Sequence, residues 1–597
     1  MVQNQRNEIP VEDTWDLTTI FKNDSDFEAA FNKVQELTSA ASKYRSTMGA
    51  DAEHFFGAIE ASLKAFRLLE TVYVYASMNN DLDTGNDKYQ AYNARVNSLA
   101  AQVESALSFI QPEILSIDKK KIAEFLKENP AKEQYAHYLD FIEKKRPHVL
   151  NEEAEALISQ VQDVLNTSAE TFSVLSNNDL IFPSIIDEDG QKVRLTNGSY
   201  SLHIESYDRK VRKDAFKGMY QAYGDYKNTF AQTLSGQIKA DNYLAKVHKY
   251  PDARSAAMAT NNIPAIVYDN LVSAVHEHLD LLHRYVALRK KILQLDEMHM
   301  YDLYVPLLSE PPVEYNFEQA KKRARQALEI YGDEYLDAVD HIYNERMIDV
   351  YETKGKRSGG YSGGAYDTNP FILLNYQDTL DDVYTLIHET GHSVHSWLTR
   401  KYQPYVYGDY PIFVAEIAST TNENLLTDDF LANSDDPKLR AYILNHYLDG
   451  VKGTVFRQTQ FAEFEHYLHT SEQNGIPITA NGISEYYGKL NADYYGSSVV
   501  SDPEISLEWS RIPHFYYDYY VYQYATGFAA ATTLSENMLS HQENAVDRYL
   551  GFLKSGNSQY PIETMKAAGV DMTKPDYLNK TFAVFEQRLN ELESLIG

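Results

Sequence analysis

Two histidines one helical turn apart, with a glutamate directly after the first, set the tightest constraint on this chain: His388-Glu389-Thr390-Gly391-His392. They fall in a run from about Thr379 to Leu398 whose apolar residues recur with the 3.6-residue period of a helix. Leu380, Val383, Leu386, Ile387, Val394, Trp397 and Leu398 make a broad stripe fit for burial. Asp381, Tyr384 and His395 fall on the side of the two imidazoles. Thr379 followed three residues later by Asp382 predicts an N-terminal cap. A half-buried helix must therefore present two imidazoles with a carboxylate between them, the H-E-x-x-H arrangement.

Histidines at i and i+4 can both reach one zinc ion, which prefers a tetrahedral shell. Glu389 sits about 100° round the helix from His388, so it faces a water activated by the ion rather than the ion itself. There it can act as general base and then general acid. A third ligand is needed. His395 shares the imidazole face, but three ligands on one straight helix spread over roughly 10 Å of axis and cannot close a tetrahedron. Beyond Leu398 a turn-rich connection, Tyr402 to Pro411, precedes a second helix expected to begin near Phe413. On it Glu416 lies amid Val414, Ala415, Ile417 and Ala418, where a carboxylate is costly unless paired or metal-bound. Glu423, two turns on, is placed to orient a ligating imidazole. Asp409 competes for either role.

Composition narrows the classes. A chain of 597 residues, 43% hydrophobic and 24% charged, can bury a large core. Its net charge of −31 repels phosphate backbones and anionic membranes, so neither nucleic acid nor a membrane is an expected partner. The absence of cysteine excludes disulfides, thiol nucleophiles and thiolate metal sites. The segment Met1 to Glu8 lacks an apolar signal core and no stretch approaches a membrane span, so cytoplasmic residence is expected. Of the 47 tyrosines, most read as packing at helix edges; the cluster at 516–524 is the exception.

Helical periodicity runs through residues 1–180, near 24–48, 52–80, 84–112, 118–129, 131–145 and 150–175. The period then changes: Leu180 to Ile186 and Gln191 to Leu195 flank Asp187-Glu188-Asp189-Gly190, a hairpin signal. We place the boundary there, giving an N-terminal helical region 1–190 and a catalytic region 191–597. Helices resume from about 206 to 345, divided by Glu310-Pro311-Pro312. His276-Glu277 begins a similar pattern, but position 280 is aspartate, so His276, Asp280 and His283 read as a solvated polar face. Two strand-like runs, 347–351 and 371–376, flank the Gly-rich stretch 359–364 and predict a small sheet beside the motif helix. That stretch lacks both phosphate-loop spacings. It reads either as a strand that pairs with an extended peptide or as a flexible surface loop. Helices return in the C-terminal third, including Leu439–Glu472 and Pro575–Ile596.

Four stretches together resemble peptidase family M3, in its oligoendopeptidase F branch. They are the motif followed 28 residues on by Glu416, Lys356 to Gly364, Thr368 to Asn375, and Arg511 to Tyr517. The likeness is dense from about residue 200 onward. It implies a mostly α, multi-helical zincin of the gluzincin type, with a small β-sheet by the active-site helix and an enclosed substrate channel. It also implies one zinc ion per chain on His388, His392 and Glu416, with Glu389 as catalytic carboxylate and Glu423 behind the ligands. Gly360, Tyr361, Ser362, Gly363 and Tyr524 become candidate substrate contacts, and His514 and Tyr517 candidate catalytic donors. Where members outside this branch carry a further tyrosine, this chain has Val521; Tyr520 and Tyr522 are both open as replacements. The expected activity is zinc-dependent cleavage of internal bonds in short unfolded oligopeptides. A zinc carboxypeptidase, anchored through Arg357 or Arg511, and a peptide-binding module with structural zinc are the alternatives. Oligomeric state is not legible.

Overall fold

The computed structural model describes residues 4–308 and 313–596; the Glu310-Pro311-Pro312 break lies outside them. The described residues are mostly helical with two small sheets. None of the described helices is long and apolar enough to cross a membrane. Packing divides the chain into two compact units that interleave in sequence. The first comprises Met1–Pro147, Val313–Asp429 and Leu534–Gly569; the second comprises His148–Pro312, Phe430–Thr533 and Val570–Gly597.

In the first unit, helices Asp24–Ala41, Ala52–Leu82 and Asp87–Leu107 pack on one another. Phe27, Val34, Phe55, Ile59 and Val72 are fully buried there. Three further strands form one sheet in the order β3–β5–β4: β3 Ile348–Asp349, β4 Tyr361–Gly363 and β5 Phe371–Leu373. β3 pairs parallel to β5, and β4 pairs antiparallel with Ser362 opposite Ile372. β4 is thus an edge strand. Both expected strand-like runs are strands, shorter than the sequence suggested, and the Gly-rich stretch contributes β4 itself.

The motif helix spans Leu380–Tyr402, a turn longer than its apolar stripe. Its start is a reciprocal cap: the Asp382 N–H donates to Thr379 Oγ1 (3.1 Å), and the Thr379 N–H donates to Asp382 Oδ2 (3.0 Å). Such a cap is worth about 1 kcal/mol. Burial weighs more. Leu380, Val383, Leu386, Ile387, Val394 and Leu398 are wholly buried, at about 1.5–3 kcal/mol each, so the apolar stripe decides which face turns outward. The helix packs on Phe317–Ala327, Asp333–Asn344, Ala545–Ser555 and strands β4 and β5. Trp397 departs from the stripe: it is only partly buried, against the His341 ring.

The second unit holds the hairpin of β1, Ser184–Ile186, with β2, Lys192–Arg194. Gly190 turns it at φ 75°, a left-handed conformation that suits glycine. Residue 190 thus lies inside this turn. Helices Lys227–Val247 and Arg457–Gln473 pack side by side. The run expected as Leu439–Glu472 is two helices, Pro437–Val451 and Arg457–Gln473, joined by one wide turn. His276, Asp280 and His283 do not form one face, because the helix breaks at His278. His276 Nε2 meets Glu463 Oε2 at 2.7 Å and His283 Nε2 meets the Tyr494 carbonyl at 3.0 Å.

Candidate metal centre

The motif helix brings His388 and His392 together, with their Nε2 atoms 3.1 Å apart. The second helix, Ile412–Asn433, supplies Glu416. Its Oε2 stands 3.4 Å from His388 Nε2 and 3.5 Å from His392 Nε2. A tetrahedral ion with bonds of about 2.0–2.1 Å needs ligand atoms about 3.3–3.4 Å apart. The triangle of 3.1, 3.4 and 3.5 Å fits that spacing, so these three residues can hold a metal ion.

Glu416 reaches the imidazoles because the two helices nearly touch. A Cβ at Gly391 would lie 2.7 Å from Ser419 Cα and 3.0 Å from the Ala418 carbonyl oxygen. Only glycine leaves room for that approach. Asn422 adds a tie between the helices, its Nδ2 donating to the Ile387 carbonyl at 3.3 Å. Ser419 Oγ donates to the Glu416 carboxylate at 3.2 Å. Val414, Ala415, Ile417 and Ala418 are buried as their composition suggests. Glu416 itself, however, is 43% exposed at its side chain. Its neighbours turn inward while it turns out, so its placement owes nothing to an apolar surround.

Glu423 Oε1 stands 2.6 Å from His388 Nδ1. A proton on Nδ1 shared with this carboxylate leaves the Nε2 lone pair facing the triangle. Burial disfavours charge on His388, but hydrogen bonds to Glu416 and Glu423 outweigh it and raise its pKa well above the ordinary value. Burial likewise opposes the Glu416 carboxylate, yet the two imidazoles hold its pKa far below the usual range.

Glu389 is buried, 7% exposed, and stays outside the triangle. Burial raises its carboxyl pKa, partly offset by the two imidazoles and a backbone hydrogen bond from Ser362. Ser362 Oγ lies 2.8 Å from Ser393 Oγ on the motif helix, which sets β4 beside Glu389. Gly360 precedes this strand and Gly363 ends it. Tyr361 is tied down rather than open: its hydroxyl donates to Asp81 Oδ2 at 2.9 Å and its ring meets Trp15.

His395 and Tyr384 were expected on the imidazole face, and both turn into the core instead. His395 is 1% exposed and stacks on Tyr410 with ring centroids 3.6 Å apart. Tyr384 is buried, with its hydroxyl 3.0 Å from Thr427 Oγ1. Asp409 is exposed, accepts the Tyr410 N–H and is not part of the triangle.

His514, Tyr517 and Tyr524 belong to the second unit. The His514 ring lies 5.6 Å from Tyr517, 6.2 Å from Tyr520 and 6.0 Å from Tyr524. Burial and the nearby Arg457 lower the His514 pKa, favouring a neutral imidazole. Tyr520 shares this cluster, whereas Tyr522 is 3% exposed and packs against Tyr268. Of the two tyrosines beside Val521, it is Tyr520 that stands with His514.

Sequence reasoning missed Gly391, whose place inside the motif carries the signal only once a second helix is known to cross there. It also missed Asn422.

The model of Peptidase family M3 matches residues 202–584, and that of Oligopeptidase F matches residues 113–182. The hairpin falls in the interval between them. The chain is 50% identical to the Oligopeptidase PepF of Bacillus subtilis, over 99% of this chain and 88% of that protein. It is 46% identical to the Group B oligopeptidase PepB of Streptococcus agalactiae, over 100% and 99%. Among solved structures, oligoendopeptidase-F from Enterococcus faecium superposes with a TM-score of 0.76 at 46% identity, covering 96% of this chain and 99% of that one. The chain belongs to peptidase family M3, in its oligoendopeptidase F branch, and is a metalloendopeptidase.

Proposed function

We propose that the chain hydrolyses internal bonds of short, unfolded oligopeptides with one zinc ion held by His388, His392 and Glu416. The observation that carries this reading is the triangle of ligand atoms at 3.1–3.5 Å, backed by Glu423 on His388 Nδ1. Zinc, when bound there, supplies Lewis acidity and makes water nucleophilic near neutral pH. Glu389 takes the proton from the attacking water and passes it to the leaving amine. Its place next to His388 yet outside the triangle suits a group that handles the proton of water without holding the ion. Glu423 keeps the His388 imidazole in one orientation and one tautomer.

The peptide lies extended along the open edge of β4, pairing with Gly360 to Gly363 as an added strand. Ser362, tied to the motif helix, sets the register of that strand against Glu389. We assign His514 and Tyr517 as donors to charge developing on the carbonyl oxygen, with Tyr524 as a substrate contact; their shared ring cluster supports treating them as one group. The substrates are unfolded because only an extended chain can pair with an edge strand, and cytoplasmic residence fits such substrates. The segments 1–190 and 191–597 remain our division into N-terminal and peptidase regions, supported by the interval between the two matched models.

The carboxypeptidase alternative requires a free cation for the terminal carboxylate. Arg511 is turned inward, with Nη2 3.5 Å from the buried Glu508, and Arg357 Nη1 lies 3.4 Å from Asp81. Both pairs weigh against it. An internally quenched peptide with both termini blocked tests the proposal. The expected result is cleavage at an internal bond that a chelator stops and zinc restores. Cleavage only when the C-terminus is free would overturn it.

A further inference from the structure

The second unit contains another group of metal-binding type, built from residues that have no role above. Asp241 on helix Lys227–Val247, His469 on helix Arg457–Gln473 and Asp518 in the turn before Tyr522 offer one ligand atom each, all within 4.8 Å of one another. Asp241 is 8% exposed and His469 1% exposed. Glu465, one turn before His469 and also 1% exposed, faces the same two aspartates.

The donor atoms are unsatisfied. Asp241 Oδ2, Glu465 Oε2, His469 Nε2 and Asp518 Oδ1 are buried and have no hydrogen-bond partner among the described residues. Among the described residues, no lysine or arginine pairs with the three carboxylates, whose polar neighbours are one another, Gln237 and the Tyr519 N–H. Three carboxylates and a bare imidazole nitrogen gathered out of water are costly without a counter-charge.

The imidazole is fixed as a ligand. Asn242 Nδ2 donates to the His469 carbonyl at 3.0 Å and to Glu472 Oε2 at 2.8 Å, so Asn242 Oδ1 is an acceptor. That oxygen takes the His469 Nδ1 proton at 3.3 Å and the Gln473 Nε2 proton at 2.8 Å. The proton therefore sits on Nδ1, which leaves the buried Nε2 lone pair free for an ion. The turn is shaped for the same end. Asp518 and Tyr519 hold φ angles of 44° and 57°, left-handed values that non-glycine residues adopt at a cost. In this turn Asp518 Oδ1 is buried and the Tyr519 N–H donates to Glu465 Oε1 at 2.8 Å.

We propose that Asp241, His469 and Asp518, with Glu465 beside them, hold a second divalent transition-metal ion that clamps the turn carrying Tyr517 and Tyr520. The imidazole in an otherwise oxygen-donor set selects zinc or manganese over calcium or magnesium. The burial of Asp241 and His469 suits a structural ion, in contrast to an open catalytic one.

The test is metal stoichiometry on intact protein expressed and purified without chelator, then dialysed against a micromolar excess of zinc and, separately, of manganese. The expected counts are two ions per chain in the parent, one in His388→Ala/His392→Ala, and one in Asp241→Asn/His469→Gln. A parent count of one that falls to zero in the motif variant would overturn the proposal, and this comparison needs no variant at the buried cluster. So would a count of two that Asp241→Asn/His469→Gln leaves unchanged while circular dichroism stays native. Failure of the motif site gives a different pattern: one ion, kept by the motif variant and lost by the cluster variant.

Discussion

The two clusters of this molecule use similar side chains to opposite effect. Around His388 and His392 the ligand atoms form a triangle, Glu416 is 43% exposed, and an edge strand lies alongside. Around His469 the donors are buried, drawn from two helices and a strained turn, and unpaired among the described residues. An open position admits water and substrate; a closed one admits only an ion. The contrast teaches that ligand identity alone does not separate catalysis from scaffolding. Exposure and a nearby carboxylate outside the shell, here Glu389, make the difference.

Substitutions can break this contrast, and the largest effect belongs to the open cluster. Glu416→Ala should abolish tight zinc binding at the motif and with it peptide cleavage, while His395→Ala keeps that ion because its ring is stacked on Tyr410. Zinc titration against a competing chelator checks both. Glu423→Ala should leave an occupied site weakened by about 10–100-fold in affinity or activity, the range for a partner behind a ligand. Equal binding in Glu416→Ala and the parent, with loss in Glu423→Ala, would exchange their roles.

Smaller effects sharpen the contrast by separating structure from chemistry. Gly391→Ala should push the two helices apart, costing about 1–3 kcal/mol in stability by overpacking and loosening the triangle. Denaturant unfolding and metal affinity should both shift. Glu334 serves as a control within the same unit: it bonds Lys554 and Tyr402, remote from the triangle. Hydrogen bonds from Lys554 and Tyr402 lower its pKa from 4.5 to about 2. A lowered folded-state value means its contribution is complete above pH 4.5 and disappears as pH falls towards 2. Glu334→Gln should cost under about 1 kcal/mol at pH 7, with the difference closing below pH 4 and zinc content unchanged.

What the sequence revealed follows from distance along the chain. His388 and His392, the Thr379–Asp382 cap and the Gly190 hairpin are local patterns, readable from spacing alone. Glu416 was reachable because one short connection joins its helix to the motif. Asp241, His469 and Asp518 are separated by long stretches of chain, and no periodicity connects them; only packing brings them together. The same holds for the interleaving of the two units and for β4 at the sheet edge. Tyr384 and His395 show the converse error. The helical wheel placed them with the imidazoles, but Tyr410 and Thr427, from the elements that follow, claimed them for the core.

The central claim, that Glu389 works on water while others hold the ion, is tested most directly by measuring zinc content and peptide turnover together in Glu389→Gln. The predicted result is zinc bound at the motif as tightly as in the parent, with turnover lower by about a hundred- to ten-thousand-fold. Loss of that zinc in step with activity, or turnover near the parental rate, would contradict the account.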